Sequence, residues 1–441
     1  IRDDLVTGGR VLFRSSIVVD FKDTLQKNTT YVINFGKAIA DVNEGNIVPN
    51  FTYVFSTGPH IDSLSVSGNV LNTLTQEKEK EVTVMLFPIK QDTLFGKKKP
   101  TIFASTDSSG NFSLNNLHEG DYRIYALKET APNKIFDNDN ELVAFQKEPI
   151  HLRKDTSNIH LSLFKQEPEK IRPTDRRFDT DGKMFFTFNK PLDNPSVKIL
   201  YPPALDAQNM MDINKTKDTA MIYMRNMDFD SIRVSFLQNN KPLDTIVLRK
   251  GRKEAFDRTI NLQYNTTQDG RLKPGINLLV TSNIPIQTID NSIITLNEDS
   301  TNVSGFTITK DTATFKKLTV NYKWKPNSRY QLIFNEGALT SIYGDKNKKL
   351  HKIFQLDKAD NYGEMTLKVT IPDTSKAYVL ELLNEQKVVV HTDPIIKSTT
   401  LVYKNYPVGK YNVRIIYDAN KNGKWDSGNV KQKRQPENIW L

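Results

Sequence analysis

Residues 120–137, GDYRIYALKETAPNKIFD, and residues 409–426, GKYNVRIIYDANKNGKWD, are two versions of one sentence at a constant offset. Gly120 matches Gly409, Tyr122 matches Tyr411, Asn133 matches Asn422, Phe136 matches Trp425 and Asp137 matches Asp426. A second pair, LQKNTTYVINFGKAI at residues 25–39 and WKPNSRYQLIFNEGAL at residues 324–339, aligns Asn28 with Asn327 and Tyr31 with Tyr330. Two unlike modules therefore each occur at least twice, in the order A, B, x, A, B. Self-similarity at the distance of whole small domains points to an array of separately cored modules, because a solenoid repeats at a shorter period.

What fills the modules is alternation. TYVINF, FTYVFST, VTVMLF, YRIYAL, MFFTF, IRVSF, INLLV, KLTVNY, RYQLIF, MTLKVTI, YVLEL and YNVRIIY are short runs of Val, Ile, Tyr and Phe set between Asn, Asp, Gly, Pro and Lys clusters. No stretch sustains helical periodicity over three turns, so the chain is predicted to be all-β, a tandem array of β-sandwiches. A content of 37% hydrophobic and 10% aromatic residues over 441 positions suits several small cores. Composition breaks divide the chain into 1–59, a truncated module A showing only its last strands; 60–165; 166–256; 257–358; and 359–441. Within the first piece, Val11 to Ser16 (VLFRSS) reads like a translated sequencing adapter, which makes about the first 16 residues foreign to the module.

Several function classes are excluded or weakened. Cysteine is absent, which removes disulfides, thiolate metal sites and cysteine nucleophiles from this stretch of chain. No apolar run is long enough to cross a bilayer. The net charge of +10 comes from scattered lysines and short clusters such as Lys97–Lys98–Lys99, Arg249–Lys250, Arg252–Lys253 and Lys431 to Arg434. With almost no aromatic interleaving these fit solvated loops or acidic partners such as envelope lipid phosphates, and no nucleic acid is expected as a partner.

Module B carries VSGNV at Val66 to Val70, then TDSSGNFSLNNLHEGDYRIYAL at Thr106 to Leu127. A glycine-turned hairpin at Ser109–Gly110–Asn111 sends Phe112 and Leu114 inward, and Gly120 turns the chain into the Tyr122 strand. This resembles the carboxypeptidase regulatory-like, transthyretin-like β-sandwich family, whose modules are usually non-catalytic spacers or binding domains. Module A, with LQKNTTYVINFG, DVNEGN (Asp41 to Asn46) and YVFSTG (Tyr53 to Gly58), resembles bacterial Ig-like domains of the S-layer type. The arrangement is similar to Ig-like-domain envelope lipoproteins of Bacteroidota. That resemblance implies an outer-membrane, cell-surface or periplasmic location, and membrane association only through a lipid anchor on an N-terminus lost from this sequence.

The sharpest local chemistry is DANKNGKWDSGN, Asp418 to Asn429. Oxygens of Asp418, Asn420, Asn422, the Lys424 carbonyl and Asp426, with Gly423 at the sharp turn, follow the spacing of a calcium loop up to its ninth position. The twelfth position is Asn429 where an EF-hand has Glu, and only two carboxylates face the site, so the Ca²⁺ expected there is weakly held. The competing reading is an Asn-rich hairpin whose side chains bond their own backbone. The first copy keeps Glu129, Asn133 and Asp137 but has Lys134 for the glycine, and the aromatic survives in both as Phe136 and Trp425, which suggests packing.

Asp–(Ser/Thr)–aliphatic tripeptides place Thr24, Ser63, Thr93, Thr219, Ser231, Thr245 and Thr312 after an aspartate, where composition gives about one or two. The pattern resembles the O-glycosylation motif of Bacteroidota, and the alternative is that Asp–Thr is simply a good way to begin a strand. Catalysis has little to rest on. His60, His118, His151, His160, His351 and His391 show no HExxH or close metal spacing, and no serine stands in GxSxG. Trp324, Trp425 and Trp440 could stack on sugars, although Trp324 stands where Leu25 stands in the other copy and reads as core. The expectation is therefore a non-enzymatic envelope scaffold or partner-binding protein, whose partners are envelope proteins or surface glycans. The alternative is a glycan-binding accessory protein of a polysaccharide-utilisation or adhesion system. A peptidase fragment carrying such modules lacks its catalytic residues.

Overall fold

A computed structural model describes residues 21, 24–36, 38–41, 44–48, 51–251 and 255–441. Val11 to Ser16, Asp23 of the first Asp–Thr–Leu tripeptide, and Arg252–Lys253 lie outside the described residues. The fold is all-β: among those residues the helical segments are four short 3₁₀ turns. Each alternating run named above forms a strand, because side chains along an extended chain point to opposite faces and the apolar set of each run can be buried together. Met184–Phe188 and Ile294–Glu298 show the alternation directly, with every second residue buried.

One compact unit takes Ile1–Glu167, Ser375–Ile395 and Asn412–Leu441. It opens with an antiparallel pair, Thr30–Asn34 against Thr52–Ser56. An eight-stranded sheet follows, in the order Ile102–Ser105, Thr83–Pro88, Gly120–Lys128, Leu142–Phe145, Thr156–Lys165, Leu64–Asn72 and Asn111–Leu117, with Ile150–Leu152 beside Gly120–Lys128. Thr156–Lys165 runs parallel to Leu64–Asn72 and antiparallel to Leu142–Phe145, joining the two halves of the sandwich. The inner face carries Val66, Val84, Leu86, Phe112, Leu114, Ile124 and their neighbours. Thr83–Pro88 is also buried on its other side, where Met85 and Phe87 lie with Tyr125, Leu127, Val143, Phe145 and Phe164. What covers that second face comes partly from the far end of the chain, which supplies a four-stranded sheet ordered Val389–Ile395, Ala377–Leu383, Asn412–Asp418 and Ile439–Trp440.

The other unit takes Pro168–Thr374 and Ile396–Tyr411. Its first sandwich sets the sheet Pro173–Phe178, Met184–Phe188, Thr219–Met224, Asn209–Ile213 beside the sheet Pro195–Tyr201, Ser231–Gln238, Lys241–Arg249, around Phe186, Phe236, Ile222 and Val234. Its second is cored by Leu278, Val280, Leu318, Tyr330, Leu332, Phe334 and Phe354. Lys316 links the two, its Nζ 3.0 Å from Asp212 Oδ2 and 3.0 Å from the Tyr223 hydroxyl. A ribbon of Tyr362–Val369 and Thr399–Pro407 completes this unit.

The A repeat holds at atomic detail. Thr30–Asn34 pairs with Thr52–Ser56 in the same register that Arg329–Phe334 uses with Leu350–Leu356, at the single offset that carries Tyr31 to Tyr330. Tyr31 stacks on Phe55 and Tyr330 on Phe354, both at 5.4 Å between ring centres. The Tyr31 hydroxyl accepts the Gln26 N–H at 2.7 Å, and the Tyr330 hydroxyl accepts the Lys325 N–H at 2.6 Å. A tyrosine that bonds backward to the chain just upstream is the corner device of Ig-like sandwiches. Asn28 and Asn327 both take positive φ, +53° and +66°, in the turn this bond closes. Trp324 packs edge-on against Tyr322, Tyr330 and Phe354, as expected for a core position.

Candidate functional site

The B repeat ends in a loop that the two copies build alike. In the C-terminal copy, strand Asn412–Asp418 delivers Asp418 into the interior, 3% exposed. Its Oδ1 accepts the Asn422 N–H at 3.0 Å and its Oδ2 the Gly423 N–H at 2.8 Å. Gly423 turns the chain at φ +76°, where a side chain would be strained. Asn422 accepts the Lys424 N–H at 2.9 Å and donates Nδ2 to Asp426 at 2.8 Å, while Asn420 donates its own Nδ2 to the same Asp426 oxygen.

In the first copy, Glu129 Oε1 accepts the N–H groups of Asn133 and Lys134, both at 2.6 Å. Asn133 accepts from Ile135 N and donates Nδ2 to Asp137 at 3.0 Å. Lys134 occupies the glycine position at φ +61°. Glu129 thus does the work of Asp418, and the scaffold forms from either acid.

Each loop then rests on a second carboxylate that spacing does not reveal. Glu437 accepts the Ala419 N–H at 2.7 Å and the Asp426 N–H at 2.9 Å. Burial raises the Glu437 carboxyl above the usual glutamate range, partly offset by those N–H donors and reinforced by the charges of Asp426 and Asp418. In the first copy Glu141, 3% exposed, accepts from Asp137 N and Asn138 N at 3.2 Å and is raised by burial in the same way.

The structure therefore gathers Asp418, Asn420, Asn422, Lys424 and Asp426 into one loop, with both amides presenting nitrogen to Asp426. A cation among them requires those amides to turn their oxygens inward. Asn429, at the twelfth position, instead closes its own turn with Arg434 and accepts the Gln432 N–H. Among the described residues no group of three or more His, Cys, Asp or Glu is arranged to hold a metal ion.

The loop scaffold aims an aromatic residue. Phe136 and Trp425 both pack against the second face of the eight-stranded sheet, with Phe95, Tyr125, Phe145 and Phe164. After Trp425 the chain keeps to that face. Ser427 Oγ donates to the Lys165 carbonyl, Val430 N to Gln166 Oε1 at 2.7 Å, and Gln435 Nε2 to the Phe145 carbonyl at 2.7 Å. A Cβ on Gly428 would fall 2.5 Å from Phe164 Cζ, so only glycine lets the backbone lie this close to the ring. Lys433 reaches Asp92 Oδ2 at 3.1 Å and the Tyr125 hydroxyl, which itself donates to Asp92. On the adjoining sheet Arg414 pairs with Glu381 through Nε at 2.6 Å and donates Nη1 to the Leu74 carbonyl at 3.0 Å. Sequence reasoning missed this docking segment, Ser427 to Gln435, whose one signal was the run SGNV directly behind the repeated aromatic.

Of the seven hydroxyls that follow an aspartate, Thr24, Ser63, Thr93, Thr245 and Thr312 are exposed and Thr219 and Ser231 are half-buried. Several of the aspartates hold turns: Asp311 accepts the Thr314 and Lys317 N–H groups at 2.7 Å, and Asp218 accepts from Asn214, Thr216 and Thr219 side chains. His118 and His151 pair with Asp62 and Asp121 at the surface, and His160 with Asn69.

The fold and site define an all-β, multi-module protein in which the C-terminal acidic loop sets Trp425 between two sheets. No protein-family model and no curated protein matches the chain. Solved structures to which it is similar include BcpA, the major pilin subunit of Bacillus cereus, at 9% identity and TM-score 0.14, over 83% of this chain and 91% of that one. Another is SGBP-B of the Bacteroides ovatus mixed-linkage glucan utilization locus, solved with a mixed-linkage heptasaccharide, at 9% identity and TM-score 0.20, over 78% and 85%. A third is the full-length major pilin RrgB of Streptococcus pneumoniae, at 12% identity and TM-score 0.17, over 85% and 66%.

Proposed function

We propose that the protein is a non-enzymatic cell-envelope scaffold or partner-binding subunit, held at the outer membrane through a lipid anchor on its N-terminal side. The observation that carries this reading is the use of the repeated loops. Their carboxylates and amides are committed to backbone N–H groups and to each other, and in the C-terminal copy the loop sets Trp425 between the eight-stranded sheet and the last sheet. Fractionation of cells producing the native protein tests it: recovery in the outer-membrane fraction with incorporated fatty acid is expected, and recovery with the cytoplasmic proteins contradicts it. The glycan-binding alternative rests on Trp440, 52% exposed on the edge strand Ile439–Trp440. A glycan panel against the full chain and Trp440→Ala decides that reading.

Two features of the same proposal concern modification. Calcium at Asp418, Asn420, Asn422, the Lys424 carbonyl and Asp426 would be weakly held, at roughly 10⁻⁴–10⁻³ M, which suits an extracellular setting. Calorimetry of the full chain in millimolar calcium against chelator should show a higher melting temperature that Asp418→Ala abolishes; no shift in the parent chain rejects the site. O-glycosylation at the five exposed hydroxyls should appear as excess intact mass in native material and disappear on Thr→Val or Ser→Ala substitution.

A further inference from the structure

Asn422 and Gly423 form the one Asn–Gly pair in the chain. In such a pair the glycine's backbone nitrogen can attack the preceding side-chain amide, because no Cβ crowds its approach. The C-terminal loop restrains both reacting groups. The Gly423 N–H donates to Asp418 Oδ2 at 2.8 Å, and a proton bound to a carboxylate is harder to remove, which keeps the nitrogen from becoming a nucleophile. The Asn422 amide is fixed through both its atoms, the oxygen accepting the Lys424 N–H at 2.9 Å and the nitrogen donating to Asp426 Oδ2 at 2.8 Å. Asn422 is nonetheless exposed, so water reaches it. The first copy builds the same turn with Asn133 followed by Lys134, which takes the glycine's left-handed conformation but carries a side chain.

We propose that Asn422 is a site of self-modification guarded by Asp418: when the Gly423 N–H leaves Asp418, Asn422 converts to aspartate or isoaspartate. The only co-reactant is solvent water. The Gly423 nitrogen gives up its proton and bonds Asn422 Cγ, the Cγ–Nδ2 bond breaks, and Nδ2 leaves with a proton as ammonia, closing a succinimide ring. Water then opens the ring. Cleavage at Cγ leaves aspartate, and cleavage at the Asn422 backbone carbonyl carbon leaves isoaspartate, with the chain running through the former side chain. Aspartate sets a carboxylate against Asp426 where Nδ2 had donated, a like-charge contact in place of a hydrogen bond. Isoaspartate adds a methylene to the backbone of the turn. Both products remove the Asn422 donor from Asp426 and so loosen the loop that sets Trp425 between two sheets.

The test follows Asn422 in the full chain by peptide mapping that separates amide, aspartate and isoaspartate, during incubation in mildly alkaline buffer without added metal. In the folded parent, conversion should be slower by about tenfold or more than in the same chain held in denaturant, the factor that a hydrogen bond to a charged group supplies. Asp418→Ala, and to a smaller extent Asp418→Asn, which keeps the shape without the charge, should speed conversion while slow amide exchange at Val379 and Ile416 shows the last sheet still folded. Gly423→Lys, which copies Lys134, should slow conversion in both states, and Asn133 should stay an amide throughout. Equal rates in the folded and the denatured parent overturn the proposal whatever the variants do to folding. So does a rate that neither Asp418 variant changes, or conversion of Asn133 as fast as Asn422.

Discussion

Asp311 and Glu437 show how residue-level environment sets opposite responses to pH. Burial alone would raise the Asp311 carboxyl, but the N–H groups of Thr314 and Lys317 outweigh it and hold the group below the usual aspartate range. A carboxyl lowered on folding adds stability above its unfolded value of about 3.9, and that stability is lost as pH falls through the folded value. Glu437 is raised, so its ionised form disfavours the fold above the folded value, and the penalty is relieved as pH falls through it. Carbon-detected titration should therefore place the Glu437 midpoint above the ordinary glutamate range and the Asp311 midpoint below the ordinary aspartate range. Over the window where Glu437 protonates and Asp311 does not, exchange protection of loop 419–438 should rise while the Asp311 turn stays unchanged. Loss of protection at 419–438 on mild acidification contradicts this.

At the scale of elements, the two B-repeat loops predict a matched pair of mutants. Asp418→Ala removes the acceptor of the Gly423 N–H and leaves the Asn422 N–H only Asn420 Oδ1, Glu129→Ala removes the acceptor of the Asn133 and Lys134 N–H groups, and each should cost about 1–3 kcal/mol in denaturant unfolding, without added metal. A large effect at Asp418 with none at Glu129 would break the equivalence. The strands themselves were legible, since alternation requires nothing beyond the pleat and one buried face. VTVMLF was the instructive exception. It reads as alternation, yet Val84 and Leu86 line the inner core and Met85 and Phe87 the second face, because another part of the chain covers that side. The loops were legible by spacing as far as Asp426. Glu437 was hidden because it returns from eleven residues beyond Asp426 through a path set by the Ser427–Gln435 docking, which no local pattern encodes. The first copy reaches the same support with Glu141, four residues after Asp137.

At the scale of the whole molecule, the order of modules along the chain is not the order of packing. One buried cluster is drawn from residues between Val66 and Leu163, and the same sheet buries its second face against Trp425 and Val430. The ion pairs in this unit should differ in weight accordingly. Arg414 and Glu381, at 10% and 15% side-chain exposure, are largely out of water, so Glu381→Ala should cost about 3 kcal/mol by leaving Arg414 uncompensated. Lys387 and Glu77, at 46% and 61%, stay hydrated, and Glu77→Ala should cost about 1 kcal/mol or less. Equal losses from the two mutants would mean that the interface is wet.

The central claim is that the C-terminal copy of the loop fastens the last module to the first B module through Trp425, and Trp425→Ala tests it most directly. Native-state hydrogen exchange of the full chain should show about 3 kcal/mol lost together at Tyr125, Val143 and Phe145 in the first B module and at Val379 and Ile416 in the last. Loss confined to Val379 and Ile416, with Tyr125, Val143 and Phe145 unchanged, would show that the modules fold independently and contradict the account.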